Sequence, residues 1–248
     1  MAGEMNGNES SALAAPAAGR KPAVPRRALR DGVYDAILER LLDGSTPQGS
    51  SLGIDSLARE LEVSPTPVRE ALVQLEHTGL ISRVALKGYR VAPPLSPEQL
   101  AELFDLRTIL ETAAVERAVP RTGDLLPELR AAHARHVLHA QRVRTSRGAR
   151  GRAAGFSDLR ECFAADWEFH LTIIRASGNR FLLKTAESLS AQVLRLRQTA
   201  DPGTTDIESA VDEHAAILAA FESGDSERPA VALREHLAAV ARRASAGG

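Results

Sequence analysis

Residues 63 to 72 read Val63-Ser64-Pro65-Thr66-Pro67-Val68-Arg69-Glu70-Ala71-Leu72, and this stretch decides the fold of the N-terminal part. Thr66 can cap a helix there, and Pro67 suits its first turn because that N–H has no intrahelical partner. A shorter helix is predicted just before it, with Asp55 and Ser56 as candidate N-caps. Its apolar residues at helical spacing are Ile54, Leu57, Ala58 and Leu61. Two short helices across a tight turn predict a helix-turn-helix.

A β-hairpin is predicted directly after these helices. Residues Leu80 to Val84 alternate like a strand, Leu86-Lys87-Gly88 forms a turn, and Tyr89 to Ala92 returns as a second strand. A hairpin after a recognition helix is a wing, and a basic tip suits a minor groove or a backbone phosphate. The alternative is a small helical core with a purely structural hairpin.

The stretch from about Leu29 to Ala92 resembles the winged-helix domain of the GntR family of bacterial transcription regulators. The matching segments are Pro47-Gln48-Gly49, Leu57-Ala58, residues 63–72, Leu75-Glu76, Gly79-Leu80-Ile81 and Gly88-Tyr89-Arg90-Val91. The resemblance implies that DNA is contacted by Arg69, by the helix start at Ser64 and Thr66, and by the wing at Lys87 and Gly88. At Pro65 the chain departs from the family pattern, since many members carry Arg there.

The composition limits how DNA could be bound. The chain has 248 residues, with 31 Lys+Arg against 32 Asp+Glu and a formal net charge of −1. This balance is not that of a bulk nucleic-acid binder, so affinity must come from local basic patches and fall with salt. We expect residues 1–25 to be a disordered tail. A basic run lies at its junction with the first helix and consists of Arg20, Lys21, Arg26, Arg27 and Arg30. That run either keeps the tail soluble or contacts phosphates.

One cysteine and the absence of a long apolar stretch predict a cytoplasmic protein without a membrane segment. A stiff linker at residues 93–97, Pro93-Pro94-Leu95-Ser96-Pro97, separates the DNA-binding domain (26–92) from a C-terminal domain (98–246). Strand patterns stop there, and we interpret Thr145 to Gly155 as a mobile loop. The predicted class is mainly α: a winged helix-turn-helix followed by an all-α bundle of about six helices. Those helices are expected near residues 100–115, 125–143, 158–176, 181–199, 207–222 and 229–244.

The bundle carries a set of metal-binding side-chain types. Asp166 and His170 lie four residues apart, which places both on one helix face. His214 and His236 each lie in the middle of another helix, beside its apolar stripe. One carboxylate and three imidazoles in a bundle core would bind a divalent metal such as zinc, manganese or nickel. Spacing alone leaves surface hydrogen bonds or partly buried histidines as equal alternatives.

The stretch from Pro97 to Ala244 is similar to the FCD ligand-sensing domain that accompanies the winged helix in the FadR subfamily. The matching residues are Leu106-Arg107, Leu110-Glu111, Asp166 with Phe169-His170, Ser177-Gly178-Asn179, Glu213-His214 with Ile217, Gly224-Asp225 and His236-Leu237. In metal-containing members the Asp and three His at these positions are the ligands. The resemblance implies that Asp166, His170, His214 and His236 hold a metal that binds a small carboxylate effector.

Two further residues have an effector-binding and a structural interpretation. Arg107 is either a surface arginine paired with Asp105 or Glu111, or a guanidinium that binds the effector carboxylate. Asn179 either caps the helix that starts near Phe181 or lines the effector pocket. We interpret Cys162 as packing. We interpret a second histidine cluster as a solvated face because arginines surround it: His133, His136 and His139.

The sequence thus predicts a transcription regulator, and specifically a repressor of a metabolic operon, that binds double-stranded operator DNA as a homodimer. A small carboxylate bound at the metal site would control this binding. No catalytic residue is predicted. Two alternatives are a metal-dependent enzyme with a DNA-targeting module, and a sensor whose histidines bind the effector without metal.

Overall fold

The computed structural model describes residues 26–42, 45–85, 87–150, 156–199 and 204–246. The predicted tail at residues 1–25 lies outside this range. The N-terminal part consists of α1 (Arg26–Leu42), β1 (Ser51–Leu52), α2 (Ile54–Glu60), α3 (Pro65–His77), β2 (Ile81–Val84) and β3 (Gly88–Val91). Helix, helix, helix and hairpin follow one another in this order, so the predicted winged helix-turn-helix is confirmed.

The recognition helix α3 begins earlier than predicted. Its N-cap is Ser64, whose backbone is extended, and Pro65 occupies the first turn. The prediction that Thr66 caps the helix was therefore wrong, because Pro65 already fits a position that lacks an intrahelical N–H partner. Likewise, the N-cap of α2 is Gly53 and not Asp55 or Ser56. Asp55 lies inside the first turn, where its carboxylate interacts favourably with the positive end of the helix dipole.

The wing is a three-stranded antiparallel sheet in the order β1-β3-β2. Val84 pairs with Gly88 at the hairpin end, and Gly88 has a φ of +79°, a conformation that favours glycine. The strand β1 was not predicted, because two residues are too short to show alternation.

The N-terminal core lies between α1, α3 and the sheet, and Val68, Leu72 and Leu75 of α3 are fully buried in it. Ala191, from the C-terminal part of the chain, also packs into this core. The winged-helix part therefore contacts the bundle directly.

Among the residues that the structure describes, six α-helices form the C-terminal part, as predicted. They are α4 (Pro97–Ala118), α5 (Thr122–Arg150), α6 (Phe156–Ala176), α7 (Arg180–Thr199), α8 (Thr204–Glu222) and α9 (Arg228–Ala246), with a 3-10 turn at Val119–Arg121. The linker ends at Ser96, whose side chain accepts from the Gln99 N–H while the Gln99 side chain accepts from the Ser96 N–H. This reciprocal capping stabilises the start of α4.

The helix α5 runs to Arg150, so the first six residues of the predicted loop, 145–150, are helical. Ser146 donates a hydrogen bond of 2.6 Å to Asp158 and so joins the end of α5 to the start of α6. Residues 151–155 lie outside the described range. The apolar core of the bundle surrounds Phe169, Ile217 and Leu233, and beside it lies a cluster of buried polar side chains.

Candidate metal centre and nucleic-acid interface

Four side chains from three helices meet inside the bundle. Asp166 and His170 come from α6, His214 from α8 and His236 from α9, and each is at most 1% exposed. The Nε2 atoms of His170 and His214 are 3.1 Å apart, and Asp166 Oδ1 is 3.7 Å from His214 Nε2. The rings of His170 and His236 stack at 5.1 Å. The structure thus brings together the four residues predicted as metal ligands.

The donor set and its spacing fit a divalent metal. Donor atoms of His170, His214 and His236 lie within 4.8 Å of one another. Two donors about 2.1 Å from a shared ion in tetrahedral or octahedral geometry stand about 3.0–3.4 Å apart, close to the separation of the His170 and His214 Nε2 atoms. Buried imidazoles and a carboxylate are the ligand types that zinc, manganese and nickel accept.

Each of the three imidazoles has its Nδ1 atom engaged by a neighbour. His170 Nδ1 is 2.7 Å from Glu111 Oε2, and His236 Nδ1 is 2.7 Å from Glu213 Oε2. His214 Nδ1 is 3.1 Å from Nδ1 of His136. Partners at Nδ1 fix the tautomer and ring orientation that direct Nε2 towards a metal. In addition, Phe169 stacks on the ring of His214 at 4.1 Å and restricts its tilt.

Arg107 and Glu111 form a buried ion pair next to this cluster. Arg107 Nε donates a 2.7 Å hydrogen bond to Glu111 Oε1, while the other oxygen of Glu111 faces His170. Arg107 is 1% exposed, and its guanidinium lies 5.1 Å from the ring centroid of Trp167. Among the described residues, neither terminal nitrogen of Arg107 has a hydrogen-bond partner. The pairing with Glu111 was foreseen, but as a surface contact rather than a buried one.

The two glutamates remain ionised over a wide pH range. Burial alone would raise the pKa of Glu111, but Arg107 and His170 lower it to about 2. Burial likewise raises the pKa of Glu213, and hydrogen bonds from His236 and Arg243 bring it down to about 2. Each carboxylate can therefore accept from an imidazole Nδ1–H at neutral pH.

His136 was wrongly assigned to a solvated face. It is 1% exposed, and with Asp166 and His214 it forms a second group of donor atoms lying within 4.8 Å of one another. It continues the buried stripe of α5, which runs Leu125, Leu129, Ala132, His136, Val143. The arginines near it in sequence project elsewhere: Arg130 pairs with Glu222, and Arg142 with Glu161. The spacing of the buried residues along α5 would have identified His136 as a buried residue. The arginines near it in sequence instead suggested an exposed face.

Two roles were considered for Asn179, and its hydrogen bonds are those of the structural one. Its Oδ1 accepts hydrogen bonds from the N–H groups of Phe181 and Leu182, so it caps α7. The hydrogen bonds therefore support the capping alternative. Cys162 is fully buried beside Val143, Phe163 and Ile207, as expected of a packing residue.

The candidate DNA-binding residues lie on exposed surfaces of the winged helix. Ser64, Thr66 and Arg69 are exposed at the start and outer face of α3, opposite its buried stripe. Val73, one turn after Arg69, is an exposed apolar residue on the same face that the sequence had not singled out. Such a face can present both a guanidinium and an apolar side chain to base edges.

At the tip of the wing, Lys87 and Gly88 are both exposed. Arg26 and Arg27 begin α1, but their side chains lie outside the described residues. Across the described ranges, none of the helices combines the length and apolarity needed to cross a bilayer.

Comparisons with known proteins agree with this architecture. The family model "Bacterial regulatory proteins, gntR family" matches residues 29–91, and the model "FCD domain" matches residues 102–239. The chain is 30% identical over 214 residues to the "Probable D-xylose utilization operon transcriptional repressor" of Paenarthrobacter nicotinovorans, covering 86% of this chain and 88% of that protein. It is 28% identical over 216 residues to the "HTH-type transcriptional repressor GlaR" of Escherichia coli K12, covering 82% and 90%.

Among solved structures, E. coli McbR/YncC superposes with a TM-score of 0.67 at 22% identity, covering 86% of this chain and 97% of that one. This likeness supports the fold, a winged helix followed by a helical bundle.

Proposed function

We infer that this chain, which belongs to the GntR family of bacterial regulatory proteins and carries an FCD domain, represses a metabolic operon as a homodimer. Members of this family are DNA-binding transcription regulators that respond to a ligand and are not enzymes, which removes the enzyme alternative. The names of the relatives quoted above support repression, and one of them, the D-xylose operon repressor, supports a metabolic operon. The proposed repressor acts in the cytoplasm, where operator DNA is accessible.

The proposed effector is a small carboxylate held between Arg107 and a divalent metal. One observation carries this proposal: the terminal nitrogens of Arg107 are buried without hydrogen-bond partners among the described residues, and its Nε is joined through Glu111 to His170. A guanidinium whose two terminal nitrogens carry free N–H groups fits a carboxylate, which it can bind through two parallel hydrogen bonds. Buried N–H donors left without an acceptor are costly, although the charge itself is balanced by Glu111.

The charges of the cluster favour an anion. Arg107 balances Glu111, whereas Arg243 is shared between Glu213 and Asp206. A divalent cation held by Asp166, His170, His214 and His236 would then have a single carboxylate among its protein ligands, so its own charge would be only half neutralised by them. When bound, the metal would supply a Lewis-acidic position for one effector oxygen. The protein residues orient the ligand and exclude water.

DNA recognition is proposed to use both parts of the winged helix. Thr66 and Arg69 would contact base edges or phosphates from the start of α3, as would Ser64. Lys87 and Gly88 would contact the backbone from the wing, with Arg26 and Arg27 reaching further phosphates. A two-fold dimer would bind a pseudo-palindromic operator, because its two recognition helices are related by the same symmetry.

The test begins with the metal content of wild-type protein, His214→Ala and the matched control His133→Ala, each purified without chelator. His133 lies on α5 but bonds to the carbonyl of Val211, 3.2 Å away. We expect about one metal per chain in the wild type and in the control, and loss of metal in His214→Ala.

Small carboxylates are then titrated into a binding assay with DNA from upstream of the protein's own gene. The proposal is supported if one of these carboxylates releases DNA from the metal-loaded protein but not from the metal-free protein. Equal release from metal-free protein would favour a sensor whose histidines bind the effector directly. A wild type with no metal and no carboxylate response would contradict the proposed effector site.

A further inference from the structure

His136 occupies a position on α5 that packing alone would assign to an apolar residue. The stripe to which it belongs is otherwise Leu, Ala and Val, and its neighbours Leu129 and Ala132 are fully buried. Burying an imidazole here costs free energy unless both ring nitrogens are satisfied. The contacts of His136 therefore indicate what its ring does at this site.

One polar contact of His136 is to the back of a candidate ligand. Its Nδ1 lies 3.1 Å from Nδ1 of His214, whose other nitrogen, Nε2, faces His170 at the same distance. The two rings are tilted by 54°, with centroids 4.9 Å apart. His136 thus lies on the side of His214 away from His170. Its own Nε2 is 4.0 Å from Asp166 Oδ1, which is too long for a direct hydrogen bond between those two atoms.

Only one proton can lie between the two Nδ1 atoms, and its position decides the function of His214. If His214 carries it, Nε2 of His214 has a free electron pair and can bind a metal. If a neutral His214 lacks it, the proton is on Nε2, and that nitrogen cannot be a ligand. If Nδ1 of His136 is an acceptor, the proton stays on Nδ1 of His214, and Nε2 of His214 keeps the electron pair that can bind a metal.

We propose that His136 is a positioning residue of the metal centre, which accepts the Nδ1–H of His214 and so holds His214 in its metal-binding tautomer. This inference rests on the proposed function. It completes a pattern in which every candidate histidine ligand has an Nδ1 partner: Glu111 for His170, Glu213 for His236 and His136 for His214. His136 differs from the other two partners because it is neutral when it accepts, and so it adds no negative charge to a site proposed to bind an anion.

The test compares His136→Leu, which keeps an apolar side chain but no acceptor, with His136→Asn, whose side-chain oxygen can replace Nδ1. His133→Leu is the control on the same helix. Affinities for Zn²⁺ are measured by chelator competition, and the visible spectrum of the Co²⁺ form reports the coordination geometry. Circular dichroism of the metal-free proteins checks folding.

We expect His136→Leu to bind Zn²⁺ about 10–100-fold more weakly, as is typical when a partner of a ligating histidine is removed. His136→Asn should recover most of the affinity and keep the wild-type Co²⁺ spectrum, and His133→Leu should match the wild type.

Wild-type affinity in His136→Leu would overturn the proposal and leave His136 as a packing residue, while the proposed metal site would stand. If His136→Asn is as weak as His136→Leu and its Co²⁺ spectrum changes, His136 is a ligand instead. If His136→Leu fails to fold, His136→Ala, which also lacks an acceptor, takes its place in the comparison with His136→Asn. A wild type without metal would overturn both this inference and the proposed metal-dependent function.

Discussion

At the residue scale, the proposed effector site depends on a short series of buried charges on one helix face. Arg107 and Glu111 are four residues apart on α4, and Glu111 contacts both Arg107 and His170 with its two oxygens. One carboxylate thereby fixes the proposed effector-binding guanidinium and a candidate metal ligand at the same time. Substitutions at these two positions should separate effector binding from folding.

Arg107→Lys should weaken effector binding without removing the metal. Lysine keeps the charge opposite Glu111 but lacks the planar fork that binds a carboxylate through two hydrogen bonds. The expected loss is roughly 1.5–3 kcal/mol, or about a ten- to hundredfold rise in the effector Kd. Titration calorimetry with the carboxylate found in the DNA-release screen measures it. Arg117→Lys, at an exposed position of the same helix, should bind as the wild type does, and equal Kd values for both variants would refute the role of Arg107.

Glu111→Gln should lower stability in a pH-dependent way. The folded-state pKa of Glu111 is about 2, against an ordinary value of 4.5. The carboxylate therefore stabilises the fold above pH 4.5, and this contribution is lost as the pH falls towards 2. In metal-free protein we expect a loss of roughly 3–5 kcal/mol at pH 7, because Arg107 loses its buried counter-ion. Urea unfolding at several pH values should show the difference from wild type narrowing below pH 4.5, whereas the exposed control Glu116→Gln should show little change. A constant difference would contradict the assignment.

At the scale of elements, the regular patterns were predictable and the exceptions have physical causes. All six bundle helices and the hairpin follow from periodicity, which reports burial on one face. The strand β1 was not predicted because it has only two residues. The last turns of α5 were not predicted because Gly and Ser near its end resemble a helix break. Within the candidate site, His170 and His214 could be singled out as candidate ligands from resemblance. The contact between Glu111 and His170 could not be predicted, because contacts between α4 and α6 are not encoded in spacing along either helix.

Substitutions in the two proposed DNA-contacting elements should have different effects on binding. Arg69→Ala on α3 should cost about 1–3 kcal/mol on the cognate operator and reduce discrimination against altered bases, if its guanidinium reads a base edge. Lys87→Ala at the wing tip should weaken binding to all sequences alike and reduce the slope of log K against log salt by about 1, because one phosphate is no longer neutralised. Fluorescence anisotropy at several salt concentrations distinguishes the two, with the exposed bundle variant Arg228→Ala as the control. Identical salt and sequence profiles for both variants would argue against separate roles.

At the scale of the whole molecule, α7 connects the proposed effector site to the recognition helix. The ring of Trp167 lies against the guanidinium of Arg107, and its Nε1 donates a 2.7 Å hydrogen bond to Ser190 on α7. One residue further along α7, Ala191 packs into the core of the winged helix. The next residue, Gln192, donates a hydrogen bond to the carbonyl of Thr78, at the C-terminal end of α3. A contiguous set of contacts thus joins the two proposed binding sites and gives a structural basis for coupling between them.

Gln192→Leu should therefore alter the coupling between effector and operator more than the affinity for either. The substitution removes the hydrogen bond to Thr78 while leaving Arg107, the histidine cluster and the exposed face of α3 in place. Mutations along a coupling network typically change the coupling free energy by roughly 0.5–2 kcal/mol, or about two- to thirtyfold in the ratio of operator Kd values with and without effector. Operator affinity is measured in both states for Gln192→Leu and for Ser188→Ala, an exposed position on the same helix. An unchanged ratio in Gln192→Leu would show that the signal reaches α3 by another route, whereas a reduced ratio with both separate affinities intact would identify α7 as the element that transmits it.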